Sequence, residues 1–400
     1  MNVLVLGCGA IGSSIIRLLL KEKFVDDVFC VAKDKKMARG FLMKNFKDIE
    51  FKVADALEFR KIKSFLQKSD FVVNALPSYL EVGGRDVLVN LKVMEFCLKV
   101  GNNYIDFACY GDEKKKIAEQ LLMAEEFEKE KLFALINAGV APGLSNLLAK
   151  EGSEGFDYLE SIKIRTLEDQ RSLEFVLPWS KEGLFDIASK VLVYRNYKFF
   201  FKEPFTEREN YEYPTVGKIS CYLLSHDEVY TLPHFIKVRN VDVKGGGSDV
   251  EVLLALYKLG FFEDEKTRVG KFMISPKKFT YSIVKGTPTT REFIKIIERG
   301  ILEDAQFGLF VDCRGYLKNN RILMRKYITF SQKMINKKLY GTNYISYPTA
   351  ISSLIFLKSV QKRKLYGVLP PEALPKPARK KFLNELERRG IILNEEYKKL

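Results

Sequence analysis

The sequence has few residues of the kinds that build metal sites and disulfide frameworks. It contains two histidines among 400 residues, and its six cysteines form no CxxC pair. Structural zinc sites and disulfide scaffolds both need clustered cysteines or histidines, so neither is expected. We predict no bound metal and reduced thiols at every cysteine, namely Cys8, Cys30, Cys97, Cys109, Cys221 and Cys313.

Long apolar runs are missing as well. A membrane-spanning helix needs about 20 consecutive apolar residues, and no run in this sequence approaches that length. The first residues, MNVLVLGCGAIG, open at once as an apolar strand and a glycine turn, without a basic leader before them. We therefore expect a mature N-terminus, a cytoplasmic location and no membrane partner.

The sequence also lacks internal repeats and low-complexity tracts. Its composition, 46% hydrophobic and 29% charged, is typical of a globular chain. The net charge of +15 comes from 66 Lys and Arg spread among 51 Asp and Glu, not from one basic block. A solvated lysine-rich surface explains this pattern, so no nucleic-acid partner is predicted, while a modest bias towards anionic ligands stays open.

The first part of the chain has the sequence pattern of an α/β protein. Residues 1–138 alternate short apolar runs with amphipathic stretches, which predicts a Rossmann domain with a doubly wound parallel sheet. The predicted strands are Asn2–Leu6, Val28–Ala32, Glu50–Val53, Asp70–Ala75, Asn103–Phe107 and Leu132–Asn137. The predicted helices are Ile11–Lys21, Asp86–Lys99 and Asp112–Glu130.

After residue 138 the segments become longer, more aromatic and more strand-like. Residues 139–344 are predicted to form a second, α+β domain for substrate binding or dimerisation, with an antiparallel sheet covered by helices on one face. Residues 345–400 are predicted to be a tail of two helices with a dispensable lysine-rich tip. The predicted strands are Ser161–Leu167, Lys218–Leu224, Lys237–Lys244, Arg268–Ile274 and a hairpin, Phe307–Cys313 with Ile322–Phe330, across a turn at 315–320.

The segment GCGAIG has the GxGxxG pattern and lies directly between a predicted strand and a predicted helix. In that context Gly7 permits a tight turn, Gly9 lets a pyrophosphate approach the backbone, and Gly12 allows the helix to pack closely on the strand. The predicted helix follows with its N-terminus towards the phosphates, so Ala10 and Ile11 are also cofactor-binding candidates. This predicts a dinucleotide site; a glycine turn that only joins two elements is the alternative interpretation.

The end of the second strand bears on the choice between NADP and NAD. Rossmann domains commonly place an acid there, which binds the 2′-hydroxyl of the adenosine ribose. In this chain Lys33 and Asp34 follow the strand. Lys33 would attract a 2′-phosphate, whereas Asp34 would favour NAD. The order of the two residues slightly favours NADP. The alternative interpretation is that both are solvated loop charges without a role in cofactor binding.

Other candidate residues follow later strands, where open α/β sheets bind their ligands. Asn74, Ala75 and Pro77 come at the end of the fourth strand, and Asp106 and Tyr110 at and beyond the fifth. We expect the first three to line the cofactor cleft and Tyr110 to contact the substrate. Asp106 is either a catalytic or substrate-contacting acid or a turn acid.

The sixth predicted strand leads into GVAPGLSN at 139–146. This turn, together with the glycine motif, resembles the saccharopine dehydrogenase family, including its lysine 6-dehydrogenase-like members. The likeness continues at PWSKEGL (178–184), VDVKGG (241–246), YPTA (347–350) and GVLPPE (367–372). The resemblance therefore covers nearly the whole chain.

The resemblance implies NAD(P)-dependent oxidation of an amine to an imine, or the reverse reductive condensation. It also implies a tail that returns to the Rossmann domain. It puts the turn and the Trp179 segment on facing walls of one cleft, with Ala141 and Pro142 beside the cofactor and Asn146 and Trp179 against the substrate. These roles are expectations that come from the family.

Two further residues are candidates for proton transfer or for binding charged substrate groups. Glu182 is either an ammonium-binding acid or a first-turn helix acid. His226 is either an acid–base or carboxylate-binding group or an exposed turn histidine. We include Asp106, Glu182 and His226 as the catalytic candidates.

The leading functional hypothesis is oxidation of L-lysine or a lysine-derived amine to an imine, or the reverse reduction, by a homodimer. Reductive condensation of the carboxynorspermidine or saccharopine type is an alternative. A dinucleotide-sensing regulator without turnover is another, because a Rossmann domain alone predicts binding and not chemistry.

Overall fold

The computed structural model describes residues 1–82 and 85–400. The N-terminal part alternates strands with helices. Its strands are β1 (Val3–Leu6), β2 (Val28–Ala32), β3 (Glu50–Val53), β4 (Phe71–Asn74), β5 (Tyr79–Val82), β6 (Arg85–Leu88), β7 (Asn103–Asp106), β8 (Gly111–Asp112), β9 (Ile117–Ala118) and β10 (Phe133–Leu135). Its helices are α1 (Ala10–Leu19), α2 (Lys35–Leu42), α3 (Phe59–Lys68), α4 (Val89–Val100) and α5 (Ala124–Lys129).

The middle part is richer in long strands. The strands are β11 (Tyr158–Ser172), β12 (Val191–Arg195), β13 (Lys198–Lys202), β14 (Glu209–Tyr213), β15 (Gly217–Leu223), β16 (Asn240–Gly246), β17 (Thr267–Val269), β18 (Phe272–Ile274), β19 (Leu302–Leu317) and β20 (Asn320–Ser331). The helices are α6 (Leu144–Ser153), α7 (Lys181–Asp186), α8 (Leu232–Phe235), α9 (Ser248–Lys258), α10 (Pro276–Ile283), α11 (Thr290–Glu298) and α12 (Gln332–Leu339).

The last part of the chain reaches both sheets. It consists of α13 (Ser346–Val360), β21 (Gly367–Leu369), α14 (Lys376–Arg388) and β22 (Asn394–Lys399). Helix α13 is buried on nearly every side and packs against α1. Strand β21 pairs with β10, and β22 pairs with β20. No helix in the described part of the chain has the length and apolar character that crossing a membrane requires.

In the described part of the chain the N-terminal sheet has seven strands in the order β21-β10-β7-β4-β1-β2-β3, and its paired neighbours are parallel. Parallel strands bring their carboxyl ends to one edge, and the strand order reverses next to β1, where such sheets bind ligands. The predicted α/β class, with a Rossmann sheet and a second domain, is confirmed.

The second sheet contains nine strands among the residues that the structure describes, and it is mixed. Strand β11 is antiparallel to β19 but parallel to β16, so the fully antiparallel sheet expected from the sequence is wrong. The parallel pair arises because the chain leaves β11, forms β12 to β15 and returns to the other side of β11. Apolar side chains from this sheet, α6 and α13 join the core below the Rossmann sheet in one continuous cluster.

Two predicted helices of the N-terminal part and one predicted strand of the middle part differ from the structure. The predicted helix Asp112–Glu130 is instead β8, β9, a 3₁₀ turn and α5, and the predicted helix Asp86–Lys99 starts only at Val89. The strand predicted over Arg268–Ile274 is the hairpin of β17 and β18, which turns at Gly270 with φ of +60°. Positive φ at a glycine costs little, and a turn there breaks the strand.

The long hairpin and the tail also differ from expectation. Strands β19 and β20 continue to a two-residue turn at Lys318 and Asn319, whose φ values are +47° and +62°, so the predicted six-residue turn is wrong. Two consecutive positive φ angles are typical of the tight turn that matches strand twist. The lysine-rich tip forms the edge strand β22; whether it is dispensable stays a prediction.

Candidate active site

Three glycines shape the turn between β1 and α1. Gly7 has φ of +92°, and a Cβ there would lie 2.9 Å from the carbonyl oxygen of Ala75. A Cβ at Gly12 would lie 2.1 Å from the carbonyl oxygen of Gly7, so the helix packs directly on the turn. A Cβ at Gly9 would meet no atom within 4 Å. The turn is closed at Gly7 and Gly12 and open at Gly9, where a pyrophosphate needs room.

The N-terminus of α1 faces this open space. Gly9 precedes the first helical residue, Ala10, and gives the helix no side-chain cap. Gly9, Ala10 and Ile11 line a large cleft. The first amide groups of a helix lack intrahelical partners and attract anions such as phosphate. The residues present therefore fit a nicotinamide dinucleotide, which when bound supplies or accepts a hydride.

Lys33 and Asp34 lie beyond β2, outside the residues that line the cleft. Asp34 caps α2, because its carboxylate accepts hydrogen bonds from the amide groups of Lys36 and Met37. Lys33 pairs with Asp55 at 3.0 Å, and its side chain is 68% exposed. Asp34 is thus engaged by the helix that it starts, whereas Lys33 sits in a surface ion pair of the kind that contributes little stability.

The cleft has a volume of about 880 Å³ and runs from the glycine turn to the second sheet. One wall consists of residues after β1, β4 and β7, and the other of residues from β11, α7 and the 3₁₀ turn Asp227–Tyr230. The hydroxyl group of Tyr79 donates a hydrogen bond to Asp186 Oδ1 at 2.8 Å and links the two walls. This volume suits small-molecule ligands.

Twelve residues that were singled out from the sequence meet on these walls. Gly7, Gly12 and Asn74 lie beside the cleft without lining it, and Asn74 Nδ2 donates to Asn90 Oδ1 at 2.8 Å. The twelve are Gly9, Ala10, Ile11, Ala75, Pro77, Asp106, Tyr110, Ala141, Pro142, Trp179, Glu182 and His226.

The structure places Asn146 away from the cleft, so its position does not support the expected substrate contact. Asn146 is fully buried, and its Oδ1 accepts the Gly143 amide at 3.0 Å. Its Nδ2 donates to Thr231 Oγ1 and to Glu372 Oε1, both at 3.1 Å. Asn146 therefore connects the start of α6 to two later segments. This role could not be predicted from the sequence, because the partners lie far away along the chain.

Asp106 is buried at the carboxyl end of β7. Its Oδ1 accepts the amide of Asn137 at 2.7 Å, and its Oδ2 accepts Nε2 of Gln120 at 3.1 Å. Burial raises the pKa of Asp106 to about 7, against the lowering effect of these hydrogen bonds. The side chain thus ties β7 to the segment after β10 and also presents a titratable group to the cleft.

Glu182 lies on the rim, in the first turn of α7. Its Oε1 accepts a hydrogen bond from the hydroxyl group of Tyr281 at 2.7 Å. The helix is capped by Ser180, whose hydroxyl oxygen accepts the amide of Gly183. Glu182 therefore joins α7 to α10 at the mouth of the cleft.

His226 lies on the cleft wall beside a buried carboxylate. Its Nδ1 is 3.3 Å from Glu228 Oε2, and the side chains are 12% and 0% exposed. Burial lowers the pKa of His226, but the charge and hydrogen bond of Glu228, together with the charges of Glu168 and Asp227, outweigh burial and raise the pKa to about 9. The pKa of Glu228 is lowered: burial raises it, and His226 and Ser145 outweigh that effect. Both shifts indicate an imidazolium–carboxylate pair at neutral pH.

Four acids of the cleft were not predicted from the sequence, namely Glu113, Glu168, Asp186 and Asp227. Burial raises the pKa of Asp227 to about 7, and its Oδ2 accepts the amide of Cys109 at 2.9 Å. Asp227 follows His226 directly, which is a weak signal. The sequence signal for Glu168 is stronger: it is a charged residue on a face of β11 whose other buried residues are apolar or neutral.

The cleft is acidic although the protein is strongly basic. Six acids line it, against two lysines and one histidine, and no arginine occurs among its described lining residues. A wall with excess carboxyl groups favours a cationic ligand. The acids are Asp106, Glu113, Glu168, Glu182, Asp186 and Asp227, and the basic residues are Lys181, Lys190 and His226.

Comparison with protein families covers nearly the whole chain. Residues 3–135 match the saccharopine dehydrogenase NADP binding domain, and residues 139–391 match the saccharopine dehydrogenase C-terminal domain. The chain belongs to the saccharopine dehydrogenase family, and the predicted dinucleotide-binding domain is confirmed. Members of this family are NAD(P)-dependent oxidoreductases and synthases.

Two curated relatives are similar in sequence. Carboxynorspermidine synthase of Vibrio cholerae is 22% identical over 271 residues, covering 62% of this chain and 63% of the relative. Carboxynorspermidine synthase of Vibrio alginolyticus is 22% identical over 190 residues, covering 45% and 44%. The matched region spans less than two thirds of either relative.

Two solved structures share the fold over almost the full chain. Apo saccharopine dehydrogenase (L-Glu forming) from Saccharomyces cerevisiae has a TM-score of 0.68 at 14% identity, covering 99% of both chains. Homospermidine synthase of Legionella pneumophila, in complex with NAD, has a TM-score of 0.63 at 13% identity, covering 99% of this chain and 91% of that one. At this identity the likeness shows the fold alone.

Proposed function

We propose that this protein transfers a hydride between NAD(P)(H) and a carbon–nitrogen bond of a small cationic amine, reducing the imine that an amine forms with a carbonyl compound. One observation carries the proposal: the opening at Gly9 and the acidic wall belong to a single cleft. A dinucleotide bound at the glycine turn and an amine bound by the acids would therefore share one enclosed space, which is what hydride transfer needs.

His226 and Asp227 are the proton-transfer groups in this proposal. An amine adds to a carbonyl group to give a carbinolamine, whose hydroxyl group leaves as water once it is protonated. His226, with a pKa of about 9, holds a proton at neutral pH and donates it to that oxygen. Asp227, with a pKa of about 7, accepts the proton that the attacking amine loses and passes it to the former carbonyl oxygen, so that this oxygen leaves with one proton from the amine and one from His226. A hydride then completes the secondary amine.

The names of the relatives support the reductive direction. Both curated relatives named above are synthases of carboxynorspermidine, and one of the solved structures named above is of a homospermidine synthase. A second candidate, oxidation of L-lysine or a lysine-derived secondary amine, draws support from Lys181 and Lys190, which line the cleft and suit a substrate carboxylate. Both candidates use the same hydride-transfer site.

The test is a screen of amino acids, diamines, and amine plus carbonyl pairs with NADPH and NADH, run in both directions and followed by nicotinamide absorbance. We expect turnover that needs both an amine and a carbonyl compound. The Gly9→Asp variant is the control, since it should lose every signal that depends on the dinucleotide. If the protein binds dinucleotide but turns over none of these compounds, it is a dinucleotide-sensing regulator and the proposal fails.

A further inference from the structure

A charged pocket lies on the outer face of the second sheet, away from the cleft. Side chains alternate along β11, so Lys163 and Arg165 project from the outer face while Ile162 and Ile164 enter the core. The pocket has a volume of about 440 Å³, and none of its described lining residues also lines the cleft. The two cavities are therefore physically separate.

Cations outnumber acids in this outer pocket. Among the residues that the structure describes, six basic and four acidic side chains line it. A further cation, Arg165, is fully buried and bonds two of the acids. A concave surface with an excess of positive charge attracts an anion. The basic residues are Lys163, Arg195, Arg239, Lys244, Arg314 and Arg321, and the acids are Glu160, Glu207, Glu209 and Asp242.

Two of the acids, Glu209 and Asp242, are already fully bonded to cations. Arg165 donates to both oxygens of Glu209, at 3.1 Å and 2.9 Å, and Lys244 lies 3.2 Å from Oε2. Asp242 accepts Arg165 on Oδ1 and Arg195 on Oδ2, both at 2.6 Å. All four carboxylate oxygens are therefore occupied within the protein, and these acids fix the neighbouring cations in place.

Arg314 is a cation of the same pocket whose bonding is incomplete. Its Nη2 is 3.5 Å from Asp312 Oδ2, but Asp312 already accepts two shorter hydrogen bonds from Arg325, at 2.7 Å and 3.0 Å. The Nε of Arg314 is buried and has no hydrogen-bond partner among the described residues. A buried donor without an acceptor is costly, so an acceptor is expected there.

Lys163 and Arg239 also have little counter-charge. The Lys163 ammonium group is 3.7 Å from Glu209 and forms no other ion pair in the described part of the chain. Burial lowers the pKa of Lys163, against the raising effect of Glu209. Arg239 donates Nε to the neutral Asn196 at 2.8 Å and has no carboxylate partner among the described residues. Both cations thus have hydrogen-bonding capacity left for a ligand.

We propose that this outer pocket binds a condensed phosphate, either free or as part of a nucleotide, through Arg314, Lys163 and Arg239. An arginine fork matches two phosphate oxygens, and a lysine adds a point charge. Three cations with incomplete counter-charge call for an anion that carries several negative charges. The inference is independent of the proposed function, because the pocket shares no lining residue with the cleft.

The test is calorimetric titration with pyrophosphate, inorganic phosphate and ADP, at low ionic strength, where screening of charges is weak. The protein is the Gly9→Asp variant, in which the glycine turn cannot take a phosphate group. We expect one pyrophosphate per chain and binding of inorganic phosphate that is at least about tenfold weaker, because it has fewer charges and oxygens. Tighter binding of ADP than of pyrophosphate would identify the ligand as a nucleotide, and equal binding would identify it as the phosphate chain alone; both results support the site.

Arg314 provides the decisive variant. Added to Gly9→Asp, the change Arg314→Gln should weaken pyrophosphate binding by at least about tenfold, because a charged donor is lost from an enclosed site. Arg314→Lys keeps the charge and should retain more of the affinity. Arg171→Gln is the matched control: it removes an arginine from the same strand, but Arg171 is exposed, pairs with Glu303 and lies outside the pocket. Thermal unfolding checks that each variant is folded.

Three results would overturn the site. The first is the absence of pyrophosphate binding by Gly9→Asp, including binding that only the wild type shows, since the anion would then occupy the glycine turn. The second is equal pyrophosphate affinity in the folded Arg314→Gln and Arg171→Gln variants. The third is a dimer that Arg314→Gln dissociates and that binds no pyrophosphate, which would assign this face to a second copy of the chain.

Discussion

At the scale of single residues, the empty space at Gly9 permits a clean substitution. Gly9→Asp should fold normally, since a Cβ at this position meets no atom within 4 Å. Its carboxylate would occupy the place and oppose the charge of a pyrophosphate, so dinucleotide binding should be lost. Calorimetric titration with NADPH measures this loss. Gly9→Ala adds bulk without charge and should retain more affinity, and an aspartate variant that binds like the wild type would remove the phosphate site from Gly9.

Lys33 is the residue through which NADP would be preferred. Asp34 is engaged in capping α2, and Lys33 is exposed but paired with Asp55, so a 2′-phosphate would compete with Asp55 for the Lys33 ammonium group. Lys33→Glu should raise the dissociation constant for NADP about tenfold or more and change that for NAD little. Lys92→Glu makes the same charge change on an exposed part of α4 and should change neither. Parallel effects on both cofactors would show that Lys33 does not read the 2′ position.

His226 should make stability depend on pH. Its pKa in the folded protein, about 9, is above the ordinary value of 6.5, so the folded state holds this proton more tightly than the unfolded state. The stabilisation is fully present below about pH 6.5 and is lost as the pH rises through 9. Denaturant unfolding at several pH values should therefore show a decline over this window that His226→Gln lacks.

The other histidine provides the control for this pH dependence. His234 is exposed, and its Nε2 contacts the carbonyl oxygen of Lys116 at 3.0 Å. His234→Gln should keep the decline in stability between pH 6.5 and 9. If His226→Gln keeps it as well, the His226–Glu228 pair is not its source.

At the scale of elements, the sequence predicts local structure well and pairings at a distance poorly. The GxGxxG turn is predicted because the motif and the strand and helix that flank it are all recognisable in one short stretch of the sequence. The strand at the tip of the chain is not predicted because it forms by pairing with β20, more than 60 residues earlier. Glu168 and Asp227 are missed for a similar reason: each is an ordinary acid until another segment buries it at the cleft.

Strand β22 gives an element-scale prediction. It pairs with β20, and its Glu396 lies 3.4 Å from Arg325. Deleting residues 394–400 exposes the edge of β20 and should lower the melting temperature, by about 2–4 °C for each kcal/mol lost. Dinucleotide binding, which depends on the other sheet, should persist. Replacing Lys398 and Lys399 by Gln keeps the backbone pairing and should leave the melting temperature unchanged; an unchanged value for the deletion would show that the tip is dispensable after all.

At the scale of the whole molecule, the last part of the chain holds the two sheets together. Strand β21 completes the Rossmann sheet, β22 borders the second sheet, and α13 is buried between α1 and the common core. Glu372, in the same part, reaches Asn146 under the cleft. The site therefore depends on segments from all three parts of the chain. The glycine turn was predictable because it is a local motif, whereas the acids of the cleft come together only in the folded chain. The homodimer stays a prediction.

The central claim is that one cleft brings a dinucleotide and a carbon–nitrogen bond together for hydride transfer. The most direct measurement uses NADPH carrying deuterium at the transferred position, together with an amine and carbonyl pair from the screen, and mass spectrometry of the product. We expect a secondary amine that contains one deuterium, bound to the former carbonyl carbon, and none with Gly9→Asp. A product without deuterium, or no product from any pair while the dinucleotide remains bound, would contradict the claim.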